Sequence, residues 1–275
     1  QEADSSSGSL LSSSSDEVDE ESTVPVSSSS LSSSSEAVSK ISSSSAQANG
    51  SVGCKPTTVA GFTTWCGDTE KNPSHVSTGL DNGNGKSGYW SFYNDNSDGG
   101  LSLIKWHCDL VPTRSIDQLE PIIDDCGGLC GTFALDNGSL DYNPFVGVGF
   151  AVAGYYYVDP STADASEWDG LCVAYSSDLD MTLELSLGAD GDKELAYDNP
   201  SVSLQKSSLG TVTRFTWDDF EQSGWGVKNG GKVVSGAEAA KTLSAIMFRI
   251  QGKDGSTGNF NIMSVGPYQG GCGEK

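Results

Sequence analysis

The chain has 275 residues, a formal net charge of −22 and a sequence pI near 4.1. Acid on that scale excludes nucleic acid as a partner, because phosphates attract a basic stripe, and it argues against anionic membrane surfaces, which recruit Lys and Arg clusters. No apolar run approaches the ~18 residues of a membrane-spanning helix, so a soluble protein that meets neutral polymers is expected.

Residues 1–50 are a different material from the rest. "SSSS" recurs at 12–15, 27–30, 32–35 and 42–45, usually behind one apolar residue (Leu11, Val26, Leu31, Ile41). The offsets follow neither the 3.6 period of a helix nor the 2 of a strand. With no aromatic residue and an acidic "DEVDEES" run, the tract cannot bury enough surface to offset its ordering entropy. It reads as a disordered, extended linker whose serines are candidates for O-glycosylation or phosphorylation. The sequence opens at Gln1 with neither a basic n-region nor an apolar h-region. The expectation is a cytosolic chain or one numbered after a removed signal.

Residues 51–275 hold every Trp, Tyr, Phe and Cys, enough for one sandwich domain. Strand signals recur in order, separated by Gly, Asn and Asp clusters. "GYWSFY" (88–93) and "LSLIKW" (101–106) flank "NDNSDGG". "FVGVGFAV" (145–152) alternates, with Val146, Val148, Phe150 and Val152 on one face and Gly147, Gly149 and Ala151 on the other. "MTLELSL" (181–187) turns Met181, Leu183, Leu185 and Leu187 inward and Thr182, Glu184 and Ser186 outward. "AIMFRIQ" (245–251) buries Ile246, Phe248 and Ile250 and leaves Met247, Arg249 and Gln251 outward, and "NFNIMSV" (259–265) closes the domain. Helical pattern is confined to 115–126 and 235–243. The fold class is all-β, a β-sandwich of jelly-roll type with a disordered N-terminal linker.

Seven cysteines, at 54, 66, 108, 126, 130, 172 and 272, are dispersed through this acidic domain, a distribution typical of disulfides and an oxidising compartment. Being odd in number, they leave at least one unpaired within the chain. Only "CGGLC" (126–130) has zinc-knuckle spacing, and neither His75 nor His107 supplies a second knuckle.

The chemistry of catalysis is weakly represented. Asp218 and Asp219 in "TWDDF" are adjacent, so a strand would point them to opposite faces, whereas a glycosidase needs two carboxylates converging on one bond. No nucleophile elbow, H-E-x-x-H or phosphate loop occurs. "YNDNSDGG" (93–100) gathers hard oxygen donors, and Asp95 and Asp98 are candidate ligands for a structural calcium. The same residues suit a plain Asx/Gly turn.

Aromatic residues in loops are the remaining resource, since neutral sugars stack their CH faces on rings while polar side chains read the hydroxyls. Tyr142, Tyr156, Trp168 and Tyr197 are the candidate rings, and Glu184, Arg249 and Gln251, on outward strand positions, the candidate polar partners. The order "FVGVGFAVAG", "LCVAYSSDLDMTLELSL", "TVTRFTWDDF" and "LSAIMFRIQGKDGSTGNFNIMSVG" resembles the family 11 carbohydrate-binding modules and their jelly-roll relatives over roughly 85–268, although "CGGLC" and the cysteine set depart from that pattern. The Ser-rich tract is similar to linkers in secreted plant-cell-wall-degrading systems. The resemblance implies non-catalytic binding of a β-glucan or related polysaccharide on a concave face, often with a structural calcium. It also implies a secreted or cell-surface (outer-membrane associated) location, tethered or working beside glycoside hydrolases. An adhesion module that binds protein and a small jelly-roll glycoside hydrolase are the alternatives.

Overall fold

The computed structural model describes residues 52–274 except 69–70, 82, 84, 108–118 and 156–158. The Ser-rich tract with its expected linker role, Cys108 and Tyr156 lie outside the described residues.

Four two-residue strands open the domain: β1 (Cys54–Lys55), β2 (Thr58–Val59), β3 (Phe62–Thr63) and β4 (Trp65–Cys66). They are followed by β5 (Trp90–Asn94), β6 (Leu103–Trp106), helix α1 (Glu120–Cys126), β7 (Leu129–Ala134), β8 (Phe145–Ala151), β9 (Ala153–Tyr155) and β10 (Asp159–Ser161). Next come β11 (Gly170–Ser177), β12 (Met181–Ser186), helix α2 (Gly188–Glu194), β13 (Ser201–Leu204) and β14 (Ser207–Thr216). Two single-turn helices, α3 (Trp225–Lys228) and α4 (Gly236–Ala239), precede β15 (Ala245–Gln251), β16 (Thr257–Pro267) and β17 (Gly271–Cys272).

These strands build two packed antiparallel sheets. One runs β13-β12-β15-β8-β5; the other runs β14-β11-β16-β7-β6, with β4 also paired to β16. The register explains why the alternating runs stay where they are: Leu183, Phe248, Val148 and Phe92 fall opposite one another across four strands, so the apolar phase of each faces the same core. A slip of one residue would turn that whole set to water. Met181, Leu183, Leu185, Ile246, Phe248, Ile250, Val146, Val148 and Phe150 are all buried. The opposing sheet contributes Leu171, Val173, Tyr175, Leu129, Phe133, Phe260, Ile262 and Val265. The sandwich expected from the alternation is the fold.

Trp168 is a correction. It ends a 3-10 turn over Ser166–Trp168 and is 1 % exposed, its ring 4.5 Å from that of Phe62. Packed in the core, it has no face to offer a ligand. Asp218 and Asp219 also resolve into structure. Thr216 caps the 3-10 turn Trp217–Asp219, and the Asp219 carboxylate accepts from the Thr216 N–H at 2.7 Å and its hydroxyl at 2.8 Å. This reciprocal cap, with Trp217 and Phe220 buried behind it, makes Asp219 a turn acid.

Disulfides join Cys54 to Cys66, Cys126 to Cys130 and Cys172 to Cys272. The last closes a span of 100 residues and anchors β17 to β11. Arg214, opposite Cys172 in the register, secures the same tail by donating to the carbonyls of Tyr268, Gly270 and Cys272. β1 adds its two residues to β17.

Candidate functional site

The outer face of the five-stranded sheet carries the strongest candidate site, and its floor is made of small residues. On β8, every position that points away from the core is Gly147, Gly149 or Ala151 once Phe145 is passed. Glycine weakens a strand unless something covers it, and here the neighbours do. Tyr93 on β5 pairs with Gly147, and a Cβ added there would lie 2.1 Å from the Tyr93 Cζ atom. The end of the tyrosine ring therefore lies over β8, an aromatic covering a glycine on the next strand, and its hydroxyl donates to the Phe248 carbonyl at 3.4 Å. Gly149 does the same for Met247, whose sulfur would sit 2.9 Å from an added Cβ.

On the other side of β8, Gly147 pairs with Arg249 on β15, which pairs with Thr182 on β12. The Arg249 guanidinium lies over the Phe145 ring, 5.9 Å from its centroid, and donates through Nη2 to Glu184 Oε1 at 2.5 Å. Its Nε has no hydrogen-bond partner among the described residues. Glu184 is buried although it points away from the core. Burial pushes its carboxyl up from the ordinary range, and the Arg249 charge offsets this only in part.

Beyond the C-terminal end of β12, half-buried Asp192 and buried Asp198 shape the loops. Asp192 accepts from the Ser186 hydroxyl and the Leu187 N–H, both at 2.7 Å, and desolvation raises its pKa. Asp198 accepts from the Ser223 N–H and hydroxyl and from the N–H groups of Gly224 and Gly226. Burial alone would raise its pKa, but those donors hold it below the ordinary 3.8. This carboxylate clamps the 223–226 segment onto the 195–198 turn, bringing Trp225 to the turn that carries Tyr197. Both rings are exposed, at 47 % and 63 %. Ala196 and Tyr197 have φ of 53° and 62°, a left-handed pair unusual for residues with side chains.

At the opposite corner, Tyr142 stacks on Phe145 with centroids 6.5 Å apart and planes at 17°. Its hydroxyl donates to Asp98 at 2.9 Å, and desolvation followed by that carboxylate pushes the phenol up to about 12. Gln251, opposite Phe145 in the register, donates to the Asn143 carbonyl at 2.8 Å. Glu184, Arg249, Tyr142 and Gln251 thus share one face, with Tyr197 on the loop bordering it; Trp168 does not join them, and Tyr156 is outside the described residues. Tyr93, Phe145 and Trp225 were not singled out for the site by sequence. The available signal for Tyr93 was its phase: Trp90 and Phe92 take the core positions of β5, leaving the ring of Tyr93 on the glycine side of β8.

The calcium expectation does not fit the donors. Asp95 is fully buried, and its two oxygens already accept from the Ser102 N–H, the Ser102 hydroxyl and the Phe145 N–H at 3.1, 2.7 and 2.8 Å. Asp98 directs one oxygen to Tyr142. Asn94 caps the 3-10 turn Asp95–Asp98, and Gly99 ends it at φ 103°. Among the described residues, Asp95 and Asp98 belong to no group of three converging His, Cys or acidic ligands. This is an Asx turn braced by a buried acid.

No family model matches the chain. Over 168 residues it is 31% identical to Endoglucanase 3 of Fibrobacter succinogenes (strain ATCC 19169 / S85), an alignment that takes in 60% of this chain and 22% of that protein; the chain thus spans about a fifth of the curated relative it matches. Among solved structures, it is similar to the family 11 carbohydrate-binding module from Clostridium thermocellum in complex with a β-1,3-1,4-mixed-linked tetrasaccharide, with a TM-score of 0.36 and 12% identity over 64% of this chain and 87% of the module. It is also similar to TmCBM61 in complex with β-1,4-galactotriose, with a TM-score of 0.25 and 11% identity over 66% of this chain and 90% of that one. Likeness at that level leaves the fold to be established by the strand pairing described above.

Proposed function

We propose that the 51–275 domain binds a neutral plant cell-wall polysaccharide of the β-glucan type, without cleaving it, on the outer face of the five-stranded sheet. The observation that carries this reading is the Tyr93 ring laid over Gly147 beside the Arg249–Glu184 pair. An aromatic ring at that position offers a stacking surface for sugar CH groups. A guanidinium and a carboxylate beside it donate to and accept from vicinal hydroxyls. From β12 to β5 there are three inter-strand steps, about 14 Å, room for a chain rather than a single ring.

Non-catalytic action is supported by the use already made of the acids. Glu184 is ion-paired, Asp192 and Asp198 are committed to loop hydrogen bonds, and Asp219 is a cap. The similarity to part of an endoglucanase favours a module that works beside a glycoside hydrolase outside the cell, in keeping with the disulfides.

Affinity electrophoresis against soluble mixed-linkage glucan, xylan, mannan and galactan, with a reducing-sugar assay on each, tests the proposal. Retardation by the β-glucan with no sugar release is expected, and Tyr93→Ala should abolish it while the far-UV spectrum is unchanged. Retardation by none of the gels would remove the function. Sugar release lost on Glu184→Gln would replace binding with hydrolysis.

A further inference from the structure

Away from that face, strand register gathers a second set of side chains. β16 and β7 pair so that Asn261 lies opposite Cys130, and β7 and β6 so that Gly131 lies opposite Trp106. One further step of that antiparallel register sets His107 beside Cys130, on the outer face of the six-stranded sheet. Helix α1 supplies Asp125 and Cys126. His107 Nδ1 contacts the Asp125 carboxylate, and ligand atoms of His107, Asp125 and Cys126 all lie within 4.8 Å of one another. Cys130 is bonded to Cys126. The side chains of His107 and Asp125 are 64 % and 44 % exposed, which leaves an ion a path in.

The turn that holds this group is fixed from below. Gly127 ends α1 at φ 63°, and a Cβ on Gly128 would lie 2.2 Å from Asn261 Oδ1. Asn261 is 4 % exposed. Its amide donates to the Cys126 carbonyl at 3.4 Å, while its Oδ1 meets no donor among the described residues. A buried acceptor is thus left without a donor beneath the turn among the described residues.

We propose that reduction of the Cys126–Cys130 disulfide turns this group into a zinc site made of Cys126, Cys130, His107 and Asp125. Sequence spacing alone leaves "CGGLC" without a second pair of ligands; sheet register brings His107 to it and helix α1 supplies Asp125. In the disulfide, the two sulfurs are spent on each other. A dithiol reductant delivers two electrons and two protons, breaks the S–S bond and leaves as its own disulfide. The ion then takes both sulfurs as thiolates, releasing the two thiol protons, and replaces the His107–Asp125 contact. Cys₂HisAsp is a tetrahedral set that Zn²⁺ accepts. The site is independent of the proposed glycan face, and it makes metal binding contingent on redox state.

The test uses the full chain with Co²⁺ as a spectroscopic stand-in. A dithiol dose is chosen by alkylation and mass mapping so that Cys126 and Cys130 open while the other two disulfides stay closed. A Cys108→Ser background removes the seventh thiol. One equivalent of Co²⁺ is expected to give a thiolate-to-metal charge-transfer band in the reduced protein, displaced by Zn²⁺, and none in the oxidised protein. His107→Ala and Asp125→Asn should each weaken the affinity by more than about tenfold, since losing even an outer partner of a ligand costs that much. No band after reduction would overturn the proposal. So would a band unchanged in both His107→Ala and Asp125→Asn, or one that survives Cys126→Ser with Cys130→Ser.

Discussion

The two outer faces of the sandwich come from the same alternation and end in opposite conditions. On the six-stranded side the chain closes its own surface: Cys172 is bonded to Cys272, Arg214 holds three carbonyls of the C-terminal segment, and β1 and β17 pair with each other. On the five-stranded side no covalent tie crosses the face among the described residues. Its centre is glycine and alanine, roofed by a tyrosine ring and a methionine, beside an arginine whose Nε is unpaired. The β11–β14 end of the six-stranded face is tied down by the chain itself; the five-stranded face leaves donors, acceptors and a ring in place for something else. Stability and binding are therefore expected to separate along these faces.

The largest effect belongs to the closed face. Replacing Cys172 and Cys272 by Ser reopens a span of 100 residues, a loss of roughly 4 kcal/mol, or about 10 °C of melting temperature in a domain of this size. Glucan retardation below the new melting point should be unchanged. If binding disappears with the disulfide while the fold is retained, the two faces are coupled and the division is wrong.

Next in size is the clamp at the border of the open face. Asp198→Ala leaves four donors from residues 223–226 without their acceptor, at a cost of about 3 kcal/mol. The signs with pH are opposite for the two acids near this border. The Asp198 carboxyl is lowered below 3.8, so its contribution is complete above that value and lost as pH falls through the folded pKa. The Glu184 carboxyl is raised above 4.5, so its contribution is present below that value and lost as pH rises through the folded pKa. Melting curves across the acid range should show Asp198→Asn flattening the low-pH limb and Glu184→Gln flattening the limb above it.

How much of this was legible in sequence follows from the kind of interaction involved. Period-2 alternation placed Val148, Leu183 and Phe248 in the core, because a half-buried strand writes its faces directly into the chain. Outward phase also placed Glu184 and Arg249 on one face. The burial of Trp168 is not legible there because a loop tryptophan carries no periodicity, and its packing against Phe62 joins residues over 100 positions apart in the chain. Asp95 was ambiguous for a related reason: its donors Ser102 and Phe145 come from separate segments, and only the fold reveals that its oxygens are already occupied. His107 and Cys130 are neighbours through sheet register, which no local motif encodes.

A smaller effect separates two glycines of the same strand. An added Cβ at Gly147 meets the far end of the Tyr93 ring, whereas at Gly149 it meets the Ile246 carbonyl at 2.6 Å and the Met247 sulfur at 2.9 Å. Gly147→Ala is expected to lift the ring at a cost below about 1 kcal/mol while removing glucan retardation, because the ring moves and the backbone does not. Gly149→Ala should cost more stability, about 1–3 kcal/mol, since backbone must shift to make room. Equal losses of binding in the two variants, measured at matched folded fraction, would show that the face as a whole, and not the Tyr93 platform, carries the affinity.

The smallest expected effect is none at all, and it concerns the turn at one corner of the open face. If Asp95 held a divalent cation, chelation would lower the melting temperature, since a ligand that binds only the folded state stabilises it by mass action. The hydrogen bonds to Asp95 from Ser102 and Phe145 supply that bracing without an ion. Melting curves with and without a chelator, at matched ionic strength, should therefore superimpose, and elemental analysis of the oxidised protein should find no stoichiometric calcium. Asp95→Asn, by contrast, keeps the shape but replaces one acceptor oxygen with a donor facing the Ser102 hydroxyl or an N–H, and should cost about 1–3 kcal/mol. A chelator-sensitive melt that Asp95→Asn makes insensitive would restore the calcium site and tie the open face to a metal after all.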